Sequence, residues 1–288
     1  MDKITFLGPF GATFSHEAYV KLAERFGAPK VTEENYIYAT KNRDVLPLLI
    51  KHGGYGAIAM ETLAEGRVAE PVEAFISLMD TFQTISECPF KIFSALRMNI
   101  NFCLMARVGM TPDKIQKVIG HTKAFGACRH HLELLGKAME ESPSNGKAAE
   151  DVARIESYAK CAALGPRSAA EKYGLNIMID SFEDWQAITT FFLLGPKEHD
   201  SMKGEKNRSL VVFKTEHKPG ALVNALIPFR DEGINLMQIH SVHAANGVYN
   251  FAIEVECDAP QLPNLERAMR AFEVSVSRHL SFGPFVVL

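Results

Sequence analysis

The sequence lacks the features of membrane-spanning, secreted and nucleic-acid-binding proteins. Its 288 residues contain no run of the roughly 18 apolar residues that a spanning helix needs. The first ten residues, MDKITFLGPF, include no apolar signal stretch, so we predict a cytoplasmic protein. Basic runs are short and the net charge is −3, which gives no electrostatic footprint for DNA or RNA.

Paired cysteines and clustered metal ligands are also missing. The five cysteines are an odd number and form no Cys-x-x-Cys pair, which favours reduced packing residues over disulfides or a zinc site. His130 and His131 are adjacent, and neighbouring side chains on a helix point about 100° apart, so they do not share a ligand. We predict no metal site.

What is present indicates an α/β protein of two domains. The length is twice the commonest domain size of about 100–150 residues. Short apolar strands alternate with helical segments through most of the chain, beginning with a strand over 4–7, a Gly-Pro turn and a helix. The alternation of strands and helices begins again at about residue 99. This predicts two α/β lobes, the second over about 99–180. A cleft between lobes is the natural ligand site.

The composition changes between residues 196 and 207, where almost no apolar residue occurs, and this predicts a linker. Residues 208–288 then follow a β-α-β-β-α-β order, typical of a ferredoxin-like α+β domain. Asn246-Gly247 between two alternating runs predicts a type I′ hairpin turn. We therefore predict a catalytic domain over 1–195, a linker over 196–207 and a small domain over 208–288.

Several short motifs occur in a fixed order along the chain. They are Gly8-Pro9-x-Gly11 followed by Thr13-Phe14-Ser15-His16, Glu61 with Gly66, His121 after Val118-Ile119, Ala162-Ala163-Leu164-Gly165, and Thr189 before Phe191. With them the chain resembles the prephenate dehydratases. Gly220-Ala221-Leu222 and Ile234-Asn235-Leu236 resemble the ACT regulatory domain that commonly follows them. The resemblance implies two catalytic lobes of the periplasmic-binding-protein type with the substrate in the cleft.

In that family the reaction is the cofactor-free loss of carbon dioxide and water from prephenate, giving phenylpyruvate. The resemblance implies three catalytic candidates, which are Thr189, Glu61 and His121. It also implies six substrate-binding candidates, which are Thr13, Phe14, Ser15, Thr62, Thr190 and Phe191. Each has a structural alternative: Thr13 and Ser15 as helix caps, Glu61 as a solvated carboxylate, His121 as a structural histidine and Thr189 as a buried hydroxyl bonded to backbone. We add two cations as substrate-binding candidates, Lys123 and Arg67, whose structural alternative is that of plain surface residues.

The sequence departs from four family motifs, which are the Gly-Pro-x-Gly turn, the Pro-Ile-Glu-Asn-Ser strand end, the Ser-His-Pro-Gln segment and the Thr-Arg-Phe signature. The first turn carries one extra residue, Ala12, and the Thr-Arg-Phe signature reads Thr189-Thr190-Phe191, so its arginine is missing. Losing an arginine that pairs with a buried carboxylate typically costs about 2–5 kcal/mol. Lys123 or Arg67 is the candidate replacement for this charge on the dianionic substrate.

These departures favour a lyase that decarboxylates prephenate without aromatising the ring, as in secondary metabolism. The alternatives are a prephenate dehydratase of phenylalanine biosynthesis, and a catalytically silent binding or sensor protein. In the C-terminal domain the Glu-Ser-Arg-Pro segment of phenylalanine-binding relatives reads His240-Ser241-Val242-His243. Candidate effector residues are Gly220, Ala221, Leu222 and Ser241. We expect a homodimer or homotetramer, because pairing of ACT sheets buries an edge strand.

Overall fold

The computed structural model describes residues 2–62, 66–67, 69–198, 207–243 and 249–288, with backbone alone for Glu61, Thr62, Gly66, Arg67 and Ala69. The chain divides into two compact units. One contains Met1–Val68 and Leu96–Phe192, and the other contains Ala69–Ala95 and Leu193–Leu288. None of the helices in the described ranges is long and apolar enough to cross a membrane.

The first lobe alternates strands with helices. Its elements are β1 (Ile4–Leu7), α1 (Phe14–Phe26), β2 (Tyr36–Ala39), α2 (Val45–His52), β3 (Tyr55–Thr62), β4 (Gly66–Arg67) and β11 (Ala187–Pro196). β1 pairs in parallel with β2 and β3, and β11 lies beside β3. Helix α1 starts after the cap residue Thr13 and ends at Gly27, whose φ of 66° is the left-handed conformation that glycine adopts without strain.

The second lobe also alternates strands with helices. Its elements are β6 (Cys103–Ala106), β7 (Lys117–Gly120), α4 (Thr122–Ala127), α5 (Arg129–Leu135), β8 (Ala138–Glu141), α6 (Asn145–Arg154), β9 (Cys161–Gly165), α7 (Arg167–Tyr173) and β10 (Asn176–Ile179). The strands form a five-stranded sheet in the order β10-β6-β9-β7-β8. Every residue of the central strand β9 is buried, with Leu164 in one apolar cluster and Ala163 in another on the opposite face. A strand that is covered on both faces has a continuous apolar sequence, and the sequence of β9 consists of small and apolar residues throughout.

One predicted helix is divided in the structure. The sequence indicates a single helical stretch after His121, but it breaks at Cys128 into α4 and α5. The carboxylate of Asp184 accepts hydrogen bonds from the backbone N–H groups of His130 and His131, at 2.7 and 3.0 Å. These bonds satisfy amides at the start of a new helix, and the sequence around the break gives no sign of a partner more than 50 residues away.

The C-terminal part has the predicted β-α-β-β-α-β order. Its elements are β12 (Arg208–Lys214), α8 (Ala221–Asp231), β13 (Asn235–His243), β14 (Tyr249–Glu256), α9 (Leu262–Ser275) and β15 (Arg278–Val287). The antiparallel strands lie in the order β13-β14-β12-β15. The predicted α/β class with a ferredoxin-like C-terminal domain is therefore confirmed, while the Asn246-Gly247 turn lies outside the described residues.

The helix after β4 groups with the C-terminal part rather than with the lobes. Residues 69–95 contain α3 (Ala69–Thr81) and the start of β5 (Phe90–Ile100). Val211 and Phe213 of β12 pack in the cluster that includes α8 and α9. The other face of this sheet carries Phe282, whose ring meets that of Phe75 on α3 at a centroid distance of 5.1 Å. A sheet with two apolar faces needs cover on both.

This division does not coincide with the boundary predicted at 196–207, part of which lies outside the described residues. Polar contacts add to the grouping of α3 with the C-terminal part. Lys214 forms an ion pair with Asp80 at 2.9 Å, and Arg278 donates to the carbonyl of Phe82 at 3.0 Å. Cations near the C-terminus of a helix interact favourably with its dipole. The predicted domain limits themselves stay a prediction.

We predict that Phe75→Ala destabilises the C-terminal sheet by about 3–5 kcal/mol, the usual cost of truncating a buried phenylalanine. Hydrogen exchange of the β12 amides is the measurement. Leu22→Ala is the control, because Leu22 is equally buried but belongs to the other unit. Equal β12 exchange in the two variants would contradict the assignment of α3 to the C-terminal part.

Candidate functional site

One apolar cluster brings four predicted site segments together. Phe14 of α1, Ala59 of β3, Phe125 of α4 and Phe191 of β11 all pack in or against it. Each of these residues lies within a few positions of a candidate, respectively Thr13 and Ser15, Glu61, His121 and Thr189. The structure thus places in one region segments that are up to about 180 residues apart in the sequence, and the catalytic roles of their side chains stay predictions.

The start of α1 is held by the Thr13 side chain. Its Oγ1 donates to the carbonyl of Leu7 at 2.9 Å and accepts from the N–H of His16 at 3.3 Å. The hydroxyl is therefore engaged in capping, which matches the structural alternative for this residue. Ser15 is buried as well. The first-turn backbone amides at this end of the helix could bind an anion, because the helix dipole favours negative charge there.

The turn before α1 contains the extra residue. Gly11 has a φ of 67°, and Ala12 is completely buried, with its N–H donating to the carbonyl of Pro9 at 3.3 Å. The carbonyl oxygen of Ala12 faces Gly146 at the start of α6, and a Cβ added to Gly146 would lie 2.5 Å from it. The insertion therefore fits only because residue 146 has no side chain.

Helix α6 contributes residues that sequence analysis did not single out. Ser144 caps it by accepting from the N–H of Lys147 at 3.0 Å, and its hydroxyl also donates to the carbonyl of Gly8 at 2.8 Å. Asn145 accepts from the N–H of His121 through Oδ1 at 2.9 Å. Ser144-Asn145 is recognisable in the sequence as a helix start, but its partners Gly8 and His121 are not, since they are set by tertiary packing.

His121 is the cap of α4 and has a defined hydrogen-bonding role. Its Nδ1 accepts from the N–H of Lys123 at 3.2 Å. A ring nitrogen that accepts carries no proton, so the neutral imidazole has its proton on Nε2. Protonation of Nδ1 would place an N–H against the Lys123 N–H and break the cap. The geometry therefore assigns His121 as a neutral Nε2–H donor.

Glu61, Thr62 and Arg67 are described by their backbone only. β3 and β4 pair in an antiparallel register that sets Glu61 opposite Arg67 and Thr62 opposite Gly66. The side chains of these candidates lie outside the described residues. The backbone just before them is held by Asn42, whose Nδ2 donates to the carbonyl of Ala59 at 2.7 Å.

β11 carries Thr189, Thr190 and Phe191, all of which are buried. Because side chains alternate along a strand, Thr189 and Phe191 lie on one face and Thr190 on the other. Phe191 packs in the cluster shared with Phe14 and Phe125, so Thr189 is on the cluster side. Thr190, at the position of the missing arginine, is on the opposite side of the strand.

A cation that sequence analysis missed lies beside the first turn. Lys172 of α7 donates to the carbonyl of Phe10, and its Nζ lies 5.1 Å from the centre of the Phe10 ring. Burial lowers the pKa of His16, and the charge of Lys172 lowers it further, so this imidazole is neutral at pH 7. Lys172 thus joins a helix of the second lobe to a turn of the first, and no local sequence pattern predicts this contact. Lys123, one of the two predicted replacements, lies at the start of α4.

Comparison with known proteins identifies the family. The sequence model described as "Prephenate dehydratase" matches residues 4–199. This chain belongs to the prephenate dehydratase family. It is similar to the prephenate dehydratase of Methanocaldococcus jannaschii, with 28% identity over 275 residues, which cover 94% of this chain and 92% of that protein.

Two solved structures show the same fold. The prephenate dehydratase of Arthrobacter aurescens, solved in complex with L-Phe, matches with a TM-score of 0.78 and 23% identity over 99% of this chain and 90% of that one. GqqA, described as a novel type of quorum-quenching acylase, matches with a TM-score of 0.76 and 21% identity over 97% and 96%. At these identities the likeness confirms the fold class, and a shared fold does not fix an activity.

In the C-terminal domain the effector candidates occupy two places. Gly220 precedes α8 with a φ of 81°, Ala221 is buried, and Leu222 packs against the cluster beneath α8 and α9. Ser241 is exposed on β13, opposite Phe251 in the strand register. No described contact joins the two places in one chain, and effector binding at these residues stays a prediction.

We predict that Gly146→Ala lowers the melting temperature. Its Cβ would meet the carbonyl oxygen of Ala12 at 2.5 Å and Cγ2 of Thr13 at 2.8 Å, and overpacking of this kind costs about 1–3 kcal/mol. Helix propensity alone predicts the opposite sign, a gain of up to about 1 kcal/mol. Thermal unfolding monitored by circular dichroism separates the two, and a raised melting temperature would refute the close contact.

Proposed function

We propose that the protein is a lyase that acts on prephenate and forms phenylpyruvate by loss of carbon dioxide and water. The observation that carries the proposal is the convergence of the α1, β3, α4 and β11 segments on one cluster, in a chain of the prephenate dehydratase family. A relative named prephenate dehydratase matches nearly its whole length. No cofactor is required by this chemistry.

The reaction needs a proton at the leaving hydroxyl. The bond from the ring to its carboxylate breaks, the electron pair moves into the ring, and the C–O bond breaks as oxygen leaves with a proton as water. Thr189 lies on the cluster face of β11 and is our candidate donor to that oxygen. His121 contributes a neutral Nε2–H, which can donate a hydrogen bond but does not act as a base at Nδ1.

The substrate carries two carboxylates, and the site supplies positive potential in two forms. Backbone amides at the start of α1 favour anions. Lys123 at the start of α4, Lys172 beside the first turn and Arg67 on β4 are the cations that we propose for the substrate carboxylates. A lysine is a point charge and does not reproduce the planar fork of an arginine, so we expect weaker orientation of the substrate than in relatives that keep the arginine.

A second candidate is decarboxylation without loss of water, and Thr190 favours it. A threonine replaces the arginine of the family signature and points away from the Thr189 face of β11. If protonation of the hydroxyl is weak, the electron pair released with carbon dioxide takes up a proton at a ring carbon, and the product keeps its hydroxyl. The same change is also expected in a homologue that binds ligands without turnover.

We further propose that the C-terminal domain joins copies of the chain and carries an amino-acid effector site at Gly220, Ala221, Leu222 and Ser241. β13 lies at the edge of its sheet, and edge strands are commonly covered by another chain. The L-Phe complex of the Arthrobacter relative supports an amino acid as the effector class.

Product analysis tests the proposed function. Purified protein is incubated with prephenate at mildly alkaline pH, where its acid-driven aromatisation is slow, beside a protein-free control. We expect phenylpyruvate, identified by mass and proton NMR. Loss of carbon dioxide alone, with ring vinyl protons retained, would establish the second candidate, and unchanged prephenate would indicate a binding protein or another substrate.

We predict that Thr189→Val lowers kcat by about 10²- to 10⁴-fold, the usual contribution of a positioned proton donor. Valine keeps the approximate volume of threonine but removes the hydroxyl, so thermal unfolding is measured beside the kinetics to separate lost stability from a lost proton donor. Thr189→Ser restores the hydroxyl and should recover most of the rate. Steady-state kinetics on prephenate provide the measurement, and an active Thr189→Val protein would remove Thr189 from the catalytic candidates.

A further inference from the structure

The end of strand β7 is hydrogen-bonded to the segment that leads into α6. β7 and β8 pair in parallel up to Gly120 opposite Glu141. Beyond that point the N–H of Ser142 donates to the carbonyl of Gly120 at 2.9 Å, and the N–H of His121 donates to Oδ1 of Asn145 at 2.9 Å. The side chain of Asn145 therefore continues the hydrogen bonding of the strand for one more residue.

The position of Asn145 is itself fixed on several sides. Ser144 before it is bonded to the carbonyl of Gly8, and Gly146 after it abuts Ala12. Its own carbonyl oxygen would lie 3.2 Å from a Cβ on Gly165, at the end of β9. Its two neighbours thus contact the first lobe, and Asn145 itself contacts the ends of two second-lobe strands.

We propose that Asn145 is a positioning residue, which acts through His121. By accepting the His121 N–H it sets the backbone from which the imidazole caps α4, and the cap in turn keeps the ring proton on Nε2. Without this acceptor, the Gly120-His121 peptide loses the bond on its N–H side. The ring can then rotate away from the Lys123 N–H, and the Nε2–H donor is no longer held in one direction.

The aspect of the proposal that concerns turnover rests on the proposed function. A misplaced donor lowers the rate of the chemical step more than it lowers binding, so the expected effect falls on kcat. We expect Asn145→Ala to reduce kcat on prephenate on the order of 10- to 100-fold, with a much smaller change in KM.

The experiment compares four variants with the wild type. Asn145→Ala removes the acceptor, and Asn145→Leu does so while keeping the volume, in case the smaller side chain does not fold. Asn145→Asp keeps an acceptor oxygen in place. Asn35→Ala is the matched control, because Asn35 is a buried asparagine whose Oδ1 accepts from the N–H of Thr32 at 2.7 Å, in the loop before β2.

Two measurements do not depend on turnover: hydrogen exchange of the His121 amide, and the imidazole ¹⁵N shifts of His121, which report the tautomer. We expect Asn145→Ala and Asn145→Leu to speed the exchange and to mix the tautomers. Asn145→Asp should restore both properties, and Asn35→Ala should change neither. Unchanged exchange and tautomer in Asn145→Ala, or an Asp variant that behaves like Ala, would overturn the proposal.

Kinetics then separate the two ideas. If the wild type does not convert prephenate, the proposed function fails, while the exchange and tautomer results still decide the role of Asn145. If the wild type is active and Asn145→Ala alters the His121 imidazole but leaves kcat unchanged, the positioning role in catalysis is refuted.

Discussion

The contact between the start of α6 and the turn after β1 is the interaction on which the candidate site depends. Ser144 bonds the carbonyl of Gly8, and Gly146 lets the carbonyl of Ala12 approach to a distance that no side chain would allow. The contact joins a turn of the first lobe to a helix of the second. The turn with the extra residue Ala12 requires glycine at position 146, because a side chain there would collide with the Ala12 carbonyl oxygen.

Two of the described candidate side chains are uncharged hydrogen-bonding groups. His121 is a helix cap with an accepting Nδ1, and Thr189 lies on the apolar cluster side of β11. Lys172 is bonded to the carbonyl of Phe10, and a lysine is a point charge that does not reproduce the planar fork of the arginine in the family signature. In the proposed function, the direction in which the substrate is held therefore depends more on backbone groups than on a charged side chain.

The compact unit that contains the C-terminal domain also includes α3, an element from much earlier in the sequence. Its sheet buries one face under α8 and α9 and the other under α3, which the sequence places immediately after the β4 segment that contains Arg67. The Lys214–Asp80 pair and the Arg278 bond to Phe82 fasten the far end of that helix. Loss of the domain would expose an apolar face of α3, so the two parts are expected to be stable together rather than apart.

The sequence by itself determined the alternation of strands and helices, the ferredoxin-like C-terminal domain and the family, because periodicity and turn residues are local properties and the family motifs keep their order. It also indicated the segments that converge at the site. Only the tertiary structure decided that α3 packs on the C-terminal sheet, that Asp184 bonds the amides where a helix divides at Cys128, and that Asn145 contacts His121 and Lys172 contacts Phe10. Each of these depends on hydrogen bonds or packing between residues far apart in the chain, for which a single sequence carries no local signal.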